Sequence, residues 1–330
     1  AITRQLHQAV VETLAGNGQV ILLLNRRGFA TSIQCPQCGH VVACPDCDLP
    51  LTHHRDGGKA ACHYCDYQIP TPPMCPACRF DGIRYSGLGT QRLEIEVQHR
   101  FPQATIARMD SDTMRKPGSH ERVLTRFREG KINILLGTQM IAKGLDFPNV
   151  LLVGVINADS ALHFPDFRAA EKTFQLVTQV AGRTGRGERV GHVIVQTFTP
   201  EHPAIMAAVK HDFVSFARLE LEQRAGFGYP PHGYMARVIM RGANLTETEG
   251  FAESFVRRLQ TTRELNSLDC RILGPTPPPL YKLRGKFRFH AMLQAPEAKT
   301  LNQLLAKTID HIKPPKEVQY VVDIDPLDTL

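Results

Sequence analysis

No run of about 18 apolar residues occurs in the 330-residue chain, whose longest apolar stretches are strand-sized, so an ordinary membrane-spanning helix is excluded. The N-terminus lacks the charged, apolar and small-residue segments of a secretory signal. A soluble, cytoplasmic protein with no membrane partner is therefore expected. An initiator methionine is also missing, and Ile2, Leu6, Val10 and Leu14 already fall on one helical face, so the chain reads as a fragment. Finally, the sequence contains no Gly-x-x-x-x-Gly-Lys-Ser/Thr phosphate loop and no acidic magnesium-binding motif; Gly285-Lys286 is followed by Phe287 and cannot serve. Nucleotide hydrolysis by these residues alone is not expected.

What is present suffices for two domains, or three small ones, with 42% hydrophobic residues to fill their cores. Lys plus Arg number 39 against 32 Asp plus Glu, and the excess is uneven: residues 79–200 carry +5 while residues 35–78 carry −2. This favours a polyanionic partner only weakly.

Eight of the nine cysteines lie within 44 residues as four Cys-x-x-Cys pairs: Cys35/Cys38, Cys44/Cys47, Cys62/Cys65 and Cys75/Cys78. Each pair forms a knuckle that aims two thiolates at one ion, and two knuckles complete the tetrahedral sulfur shell of a structural zinc site. Two zinc ions are expected. A disulfide framework also uses an even count, but it needs an oxidising compartment, for which the chain shows no export signal. Three pairings of the knuckles are possible. The 14 residues between Cys47 and Cys62 are close to ribbon spacing, which assigns Cys44, Cys47, Cys62 and Cys65 to one ion and Cys35, Cys38, Cys75 and Cys78 to the other. This nested order brings the module's ends together, so it can be spliced into a host domain. Zinc is expected to supply most of the folding energy of so short and aliphatic-poor a segment. Cys270 reads as ordinary core.

Around the module, strand-like runs alternate with helical patterns: strands at 19–24, 82–86, 105–109, 132–136, 150–156 and 191–196, and helices at 91–100, 119–129 and 170–182. This is an α/β pattern with a parallel sheet, whose function collects in the loops beyond the carboxyl ends of the strands. Those loops are Asn25-Arg26-Arg27-Gly28-Phe29, Gly87-Leu88-Gly89-Thr90-Gln91, Asp110-Ser111-Asp112, and Gly137-Thr138-Gln139-Met140 through Lys143-Gly144-Leu145-Asp146. Glycines let backbone amides approach phosphate oxygens, and a helix N-terminus favours anions. One such loop is an ordinary turn; three on one edge suggest a phosphate-tracking surface. Further on, Gln179, Arg183 and Arg186 are spaced i, i+4, i+7 and project from one helical face. Two guanidinium groups held in this way suit a transferring phosphoryl group, whereas standing alone they would read as surface ion pairs.

After Gln196 a helix from Ala204 to Gln223 is expected, followed by strand, helix, strand, strand, helix, strand at 234–241, 247–265, 270–273, 286–294, 298–312 and 318–323. That order suits a ferredoxin-like split sandwich. Alternation within Lys286-Phe287-Arg288-Phe289-His290 places Lys286, Arg288 and His290 on a cationic face and both phenylalanines on the other. Such a face could hold nucleic-acid phosphates or an acidic peptide, or be a solvated edge protected by charge.

Together these motifs resemble the C-terminal half of the primosomal protein N′ family, replication-restart DNA helicases of helicase superfamily 2. The resemblance covers nearly all of the chain. The segment from Leu136 to Pro148 resembles helicase motif V, Gln179 to Gly187 motif VI, and Asn25 to Phe29 motif IV, while Pro165 to Glu171 resembles a family signature. The resemblance implies that Arg183 and Arg186 are arginine fingers, that Gln179 contacts the nucleotide or links it to DNA, and that Gly144 and Asp146 couple the two sites. It further implies DNA-backbone contacts from Arg26, Arg27, Gly89, Thr90 and Thr138, and a nested two-zinc insertion in the second motor lobe.

ATP and Mg²⁺ would be held only with a first lobe that this sequence does not contain. The partners implied are forked and single-stranded DNA, the acidic tail of single-stranded-DNA-binding protein and primosome proteins, with a nucleoid-associated location. The expected organisation is a RecA-like lobe from residues 1–34 and 79–200, a zinc module at 35–78 and an α+β C-terminal domain at 201–330 with a leading helix. A non-enzymatic, zinc-dependent scaffold for branched DNA is the competing reading, but it has no use for arginines at finger spacing. An RNA-directed motor is a third, since backbone contacts carry no base information.

Overall fold

The structure is a computed structural model. It describes the chain apart from residues 25–31, 48, 55–57, 63, 82–89, 110–113, 115–117, 139–146, 183–189, 279–280 and 328–330, and the side chains of 54, 90 and 91. Helix α1 (Arg4–Ala15) leads into strand β1 (Gln19–Leu23), after which the cysteine module contributes three short strands, β2 (Thr52–His54), β3 (Lys59–Ala61) and β4 (Gln68–Pro70). There follow α2 (Thr90–Arg100), β5 (Ile106–Met109), α3 (Ser119–Arg128), β6 (Ile134–Gly137), β7 (Val150–Val155), α4 (Asp159–Leu162), α5 (Ala169–Ala181) and β8 (His192–Val195).

These host strands form one parallel sheet in the order β5-β6-β1-β7-β8. All five residues of β1 are buried because both faces of the sheet are covered. Val20 and Leu22 pack towards Leu6 and Val10 of α1 and Leu93 and Val97 of α2. Ile21 and Leu23 face the opposite way, towards Phe127 of α3 and Phe174 and Val177 of α5. The period-two alternation of a strand thus feeds two cores. Buried Gln19 donates to the carbonyls of Phe127 (2.6 Å) and Ile132 (2.8 Å), satisfying the turn that precedes β6.

The expected helix from Ala204 to Gln223 is instead two helices, α6 (Pro203–Lys210) and α7 (Phe213–Phe227). The break has a local cause. His211 takes a left-handed conformation (φ 54°), and the Asp212 carboxylate accepts a hydrogen bond from the Ser215 amide (3.0 Å), capping the new helix in place of continuing the old one. Helix α6 and Phe216 of α7 pack into the core beneath the parallel sheet.

The remaining elements are β9 (Tyr234–Gly242), α8 (Leu245–Leu265), β10 (Arg271–Thr276), β11 (Lys282–Leu283), β12 (Lys286–Ala295), α9 (Ala298–Ile309) and β13 (Val318–Ile324). The main strands pair antiparallel in the order β10-β12-β9-β13, the ferredoxin-like arrangement expected. One face, with Ala236, Val238, Phe289 and Leu293, is covered by Phe255 and Leu259 of α8 and Leu304 of α9. Among the described residues no helix is long and apolar enough to cross a membrane.

Candidate metal centres and the motor edge

Three of the knuckles share one local design. The amide of Cys35 bonds to the carbonyl of His40, Cys62 to Tyr67 and Cys75 to Phe80 (2.7–2.9 Å), while Gly39, Asp66 and Arg79 return hydrogen bonds to the leading cysteines' carbonyls (2.9–3.0 Å). Closing so tight a turn puts all three of these residues at positive φ, from 60° to 75°. Glycine suits its position for a second reason as well, because a Cβ on Gly39 would lie 2.8 Å from the Thr199 methyl and 3.0 Å from the Phe198 carbonyl oxygen.

The fold gathers the thiols into two tetrads, Cys35, Cys38, Cys75 and Cys78 in one and Cys44, Cys47, Cys62 and Cys65 in the other, with all ligand atoms of each within 4.8 Å of one another. Sulfur–sulfur separations of 3.6 Å (Cys35 to Cys78, Cys38 to Cys75) and 3.5 Å (Cys44 to Cys65) are near the roughly 3.8 Å edge of a tetrahedron with zinc–sulfur bonds of about 2.3 Å. Without a cation, four thiols at this range compete for protons. Hydrogen bonds from Cys47 and Cys62 hold the Cys44 thiol down at about 2, and the hydrogen bond with Cys44 pushes Cys62 up to about 12. A divalent ion removes that conflict by letting all four ionise. His53 is not in either tetrad; its Nδ1 pairs with the Thr71 hydroxyl at 2.9 Å.

The module is fastened to the host by apolar and polar contacts. Ile33, Leu49, Leu51 and Tyr64 form a cluster with Phe167 from the segment before α5, Tyr229 from the end of α7, and Met235 and Met292 from the ferredoxin-like sheet. At the entry to the module, Gln34 is held by Asp159, which is buried. Its Oδ1 accepts from Gln34 Nε2 (2.9 Å) and from the hydroxyls of Thr197 (3.1 Å) and Thr199 (3.0 Å), and its Oδ2 accepts from the Phe198 amide (2.9 Å). Burial raises the Asp159 carboxyl, but His163, Gln34 and the Phe198 amide outweigh it and hold it at about 2.

Nearby His202 caps α6 by accepting from the Ala204 amide (3.2 Å) and is lowered from 6.5 to about 4, chiefly by burial and then by His163. An unfolded chain takes up this proton near pH 6.5 and the folded one does not until about 4, so the stability it contributes is present above 6.5 and lost as pH falls towards 4. Thermal melts should show a falling midpoint across that window, and His202→Asn, which keeps a capping side chain without the titration, should flatten it. Equal slopes for the two proteins would remove His202 as the cause.

Strands β1, β5 and β6 end in register, Leu23 and Met109 each opposite Gly137, so the chain segments after them leave from one edge. Asp159 follows β7, which also ends in register with β1, Val155 opposite Leu23. Of the residues assigned to sites from sequence, Thr138 is half-buried directly after β6, and Gln179 is exposed in the last turn of α5. Thr90 begins α2, and its side chain lies outside the described residues, as do Arg26, Arg27, Gly89, Gly144, Asp146, Arg183 and Arg186. The cationic face assigned to β12 is partly covered: alternation is as expected, with Phe289 in the helix-covered core, but His290 is only 1% exposed, on the face where Met292 meets the cysteine module.

Three family models match in chain order: the PriA DNA helicase Cys-rich region domain over residues 44–70, the helicase conserved C-terminal domain over 88–188 and the primosomal protein N C-terminal domain over 225–327. Replication restart protein PriA of Bacillus subtilis is 43% identical over 98% of this chain, and those of Treponema pallidum and Haemophilus influenzae are 39% and 35% identical over 100% and 99%. The chain belongs to the PriA family. It spans 40% to 50% of the length of these three PriA relatives. The parallel sheet is therefore a helicase C-terminal lobe, and the cysteine module is the PriA-type insertion within it.

Two features of this site escaped sequence reading. Asp159 and Tyr229 carry no local motif that marks them, and their partners Gln34 and Cys47 lie 125 and 182 residues away in sequence.

Proposed function

We propose that this chain forms the second motor lobe (residues 1–34 and 79–200), zinc module (35–78) and C-terminal domain (201–330) of an ATP-dependent DNA helicase. The whole protein would recognise and remodel stalled or forked DNA and start primosome assembly for replication restart. The observation that carries this reading is the co-occurrence, in one chain, of a helicase C-terminal lobe with two cysteine tetrads whose entry residue, Gln34, is bonded to Asp159 after a strand of that lobe. In this reading the tetrads hold two structural zinc ions. Zinc supplies a fixed tetrahedral centre and no step of the reaction. Arg26, Arg27, Gly89, Thr90 and Thr138 contact the phosphate backbone of forked or single-stranded DNA, with single-stranded-DNA-binding protein and primosome proteins as further partners at the nucleoid.

Arg183 and Arg186 stabilise charge on the γ-phosphate of ATP bound with Mg²⁺ on a separate lobe, while Gln179, Gly144 and Asp146 link that cleft to the DNA. Because the sequence carries no phosphate loop, this chain alone binds DNA and does not hydrolyse ATP. Mixing it with a separately made first lobe on forked DNA should produce ATP turnover that neither piece shows alone. Substantial turnover by this chain by itself would sink the division of labour.

A further inference from the structure

Helix α5 begins at a junction where three parts of the molecule meet and ends immediately before Arg183. At its start, the Phe167 ring stacks on Tyr229 with centroids 4.8 Å apart and planes 7° from parallel. The Tyr229 hydroxyl donates to the carbonyl of Cys47 (3.1 Å), a member of the deeper thiol tetrad. Arg224 of α7 lies 5.1 Å from the same Phe167 ring and pairs with Glu171 of α5 and Glu220 of its own helix, both at 2.7 Å. Arg168, whose guanidinium carbon lies 4.2 Å from the centroid of that ring, donates to the Pro326 carbonyl beyond β13. Buried Asp166 closes the turn into the helix by accepting from the Arg168 amide (2.8 Å) and from Lys172 (2.9 Å).

The helix itself is stiff. Its buried side, Thr173, Phe174, Leu176, Val177 and Val180, is continuous through 13 residues, about 20 Å at 1.5 Å per residue, so it shifts as a unit and not by bending. The stack, by contrast, has space beside it: a cavity of about 230 Å³ is lined by Phe167, Tyr229, Val41, Leu49 and Leu162. Both rings are buried but border this space, which leaves them room to slide against each other.

We infer that the Phe167–Tyr229 stack is a joint through which the zinc module and the C-terminal domain set the position of α5, and with it the reach of Arg183 towards the nucleotide. Phe167 and Tyr229 are then positioning residues, and the coupling of bound DNA to ATP turnover passes through them. This rests on the motor-lobe reading above. A displacement of about 1 Å in a reacting group costs on the order of 10²-fold in rate, so a loosened joint need move little to matter.

The test uses the full-length protein and measures ATP turnover with and without saturating forked DNA, together with zinc content. Phe167→Leu, which keeps apolar volume without the stack, should lower DNA-stimulated kcat on the order of tenfold or more and DNA-free turnover by less, with KM for ATP and zinc content unchanged. Phe167→Tyr should restore stimulation, and Tyr229→Phe, which keeps the ring and loses the bond to Cys47, should show a smaller loss in the same direction. Unaltered stimulation in Phe167→Leu, or an equal fall with and without DNA, would overturn the joint alone. Absence of DNA-stimulated turnover in the unsubstituted protein would overturn the motor-lobe reading beneath it.

Discussion

Metal analysis of the purified chain should return two zinc ions, and removing them with a chelator should unfold residues 35–78 and expose apolar surface at the junction. The expected effect is the largest of any single perturbation, because structural zinc contributes on the order of 10 kcal/mol per site in peptide analogues. The two ions should not leave together. In the tetrad of Cys35, Cys38, Cys75 and Cys78, Cys38 and Cys78 are exposed, whereas in the other tetrad three thiols are buried and Cys65 is half-buried. The outer ion should therefore be chelated first, and Cys44→Ser should remove the inner one.

Zinc is also not alone in ordering this segment. Leu49, Leu51 and Tyr64, with Ile33 just before the segment, bury themselves against Phe167, Tyr229, Met235 and Met292 and add to the larger contribution expected of the metal. Metal loss should consequently propagate, raising the binding of a hydrophobic dye as those four partners are uncovered. A stoichiometry near one or zero, or a chelated protein with an unchanged melting profile, would contradict this account.

What could be read from sequence is what short-range physics determines. The Cys-x-x-Cys knuckles are local turns whose thiol direction follows from their spacing. The nested grouping could be argued from a 14-residue gap, and the fold places the same eight thiols in those two tetrads. Apart from the strand expected at 82–86, which lies outside the described residues, strand and helix order around the insertion followed from periodicity, since a buried parallel strand such as 19–23 is apolar almost throughout. The alternation of β12 was legible too, but its burial was not: nothing near His290 in sequence signals that the module will lie over it. The break between α6 and α7 had a usable signal in Asp212 followed three residues on by Ser215, which a helical periodicity carried across residues 204–223 overrode. The Asp159 hub and the Phe167–Tyr229 stack depend on contacts between segments that only the assembled fold brings together.

The second large effect concerns the arginines at finger spacing. Gln179 sits exposed in the last turn of α5, and the helix is capped at Gly182, one residue before Arg183. A guanidinium delivered from one lobe to a phosphoryl group bound on another acts only on the transition state. Its removal lowers turnover by roughly 10³-fold or more without weakening the grip on the nucleic-acid backbone. Lysine at this position should not substitute, since it offers a point charge in place of a planar fork.

The most direct measurement is therefore ATP turnover by full-length Arg183→Ala protein on forked DNA, with binding of the same DNA followed in parallel. The account predicts a fall of roughly 10³-fold in turnover with DNA affinity preserved. Unchanged turnover, or a loss of DNA binding that accounts for the whole fall, would contradict it.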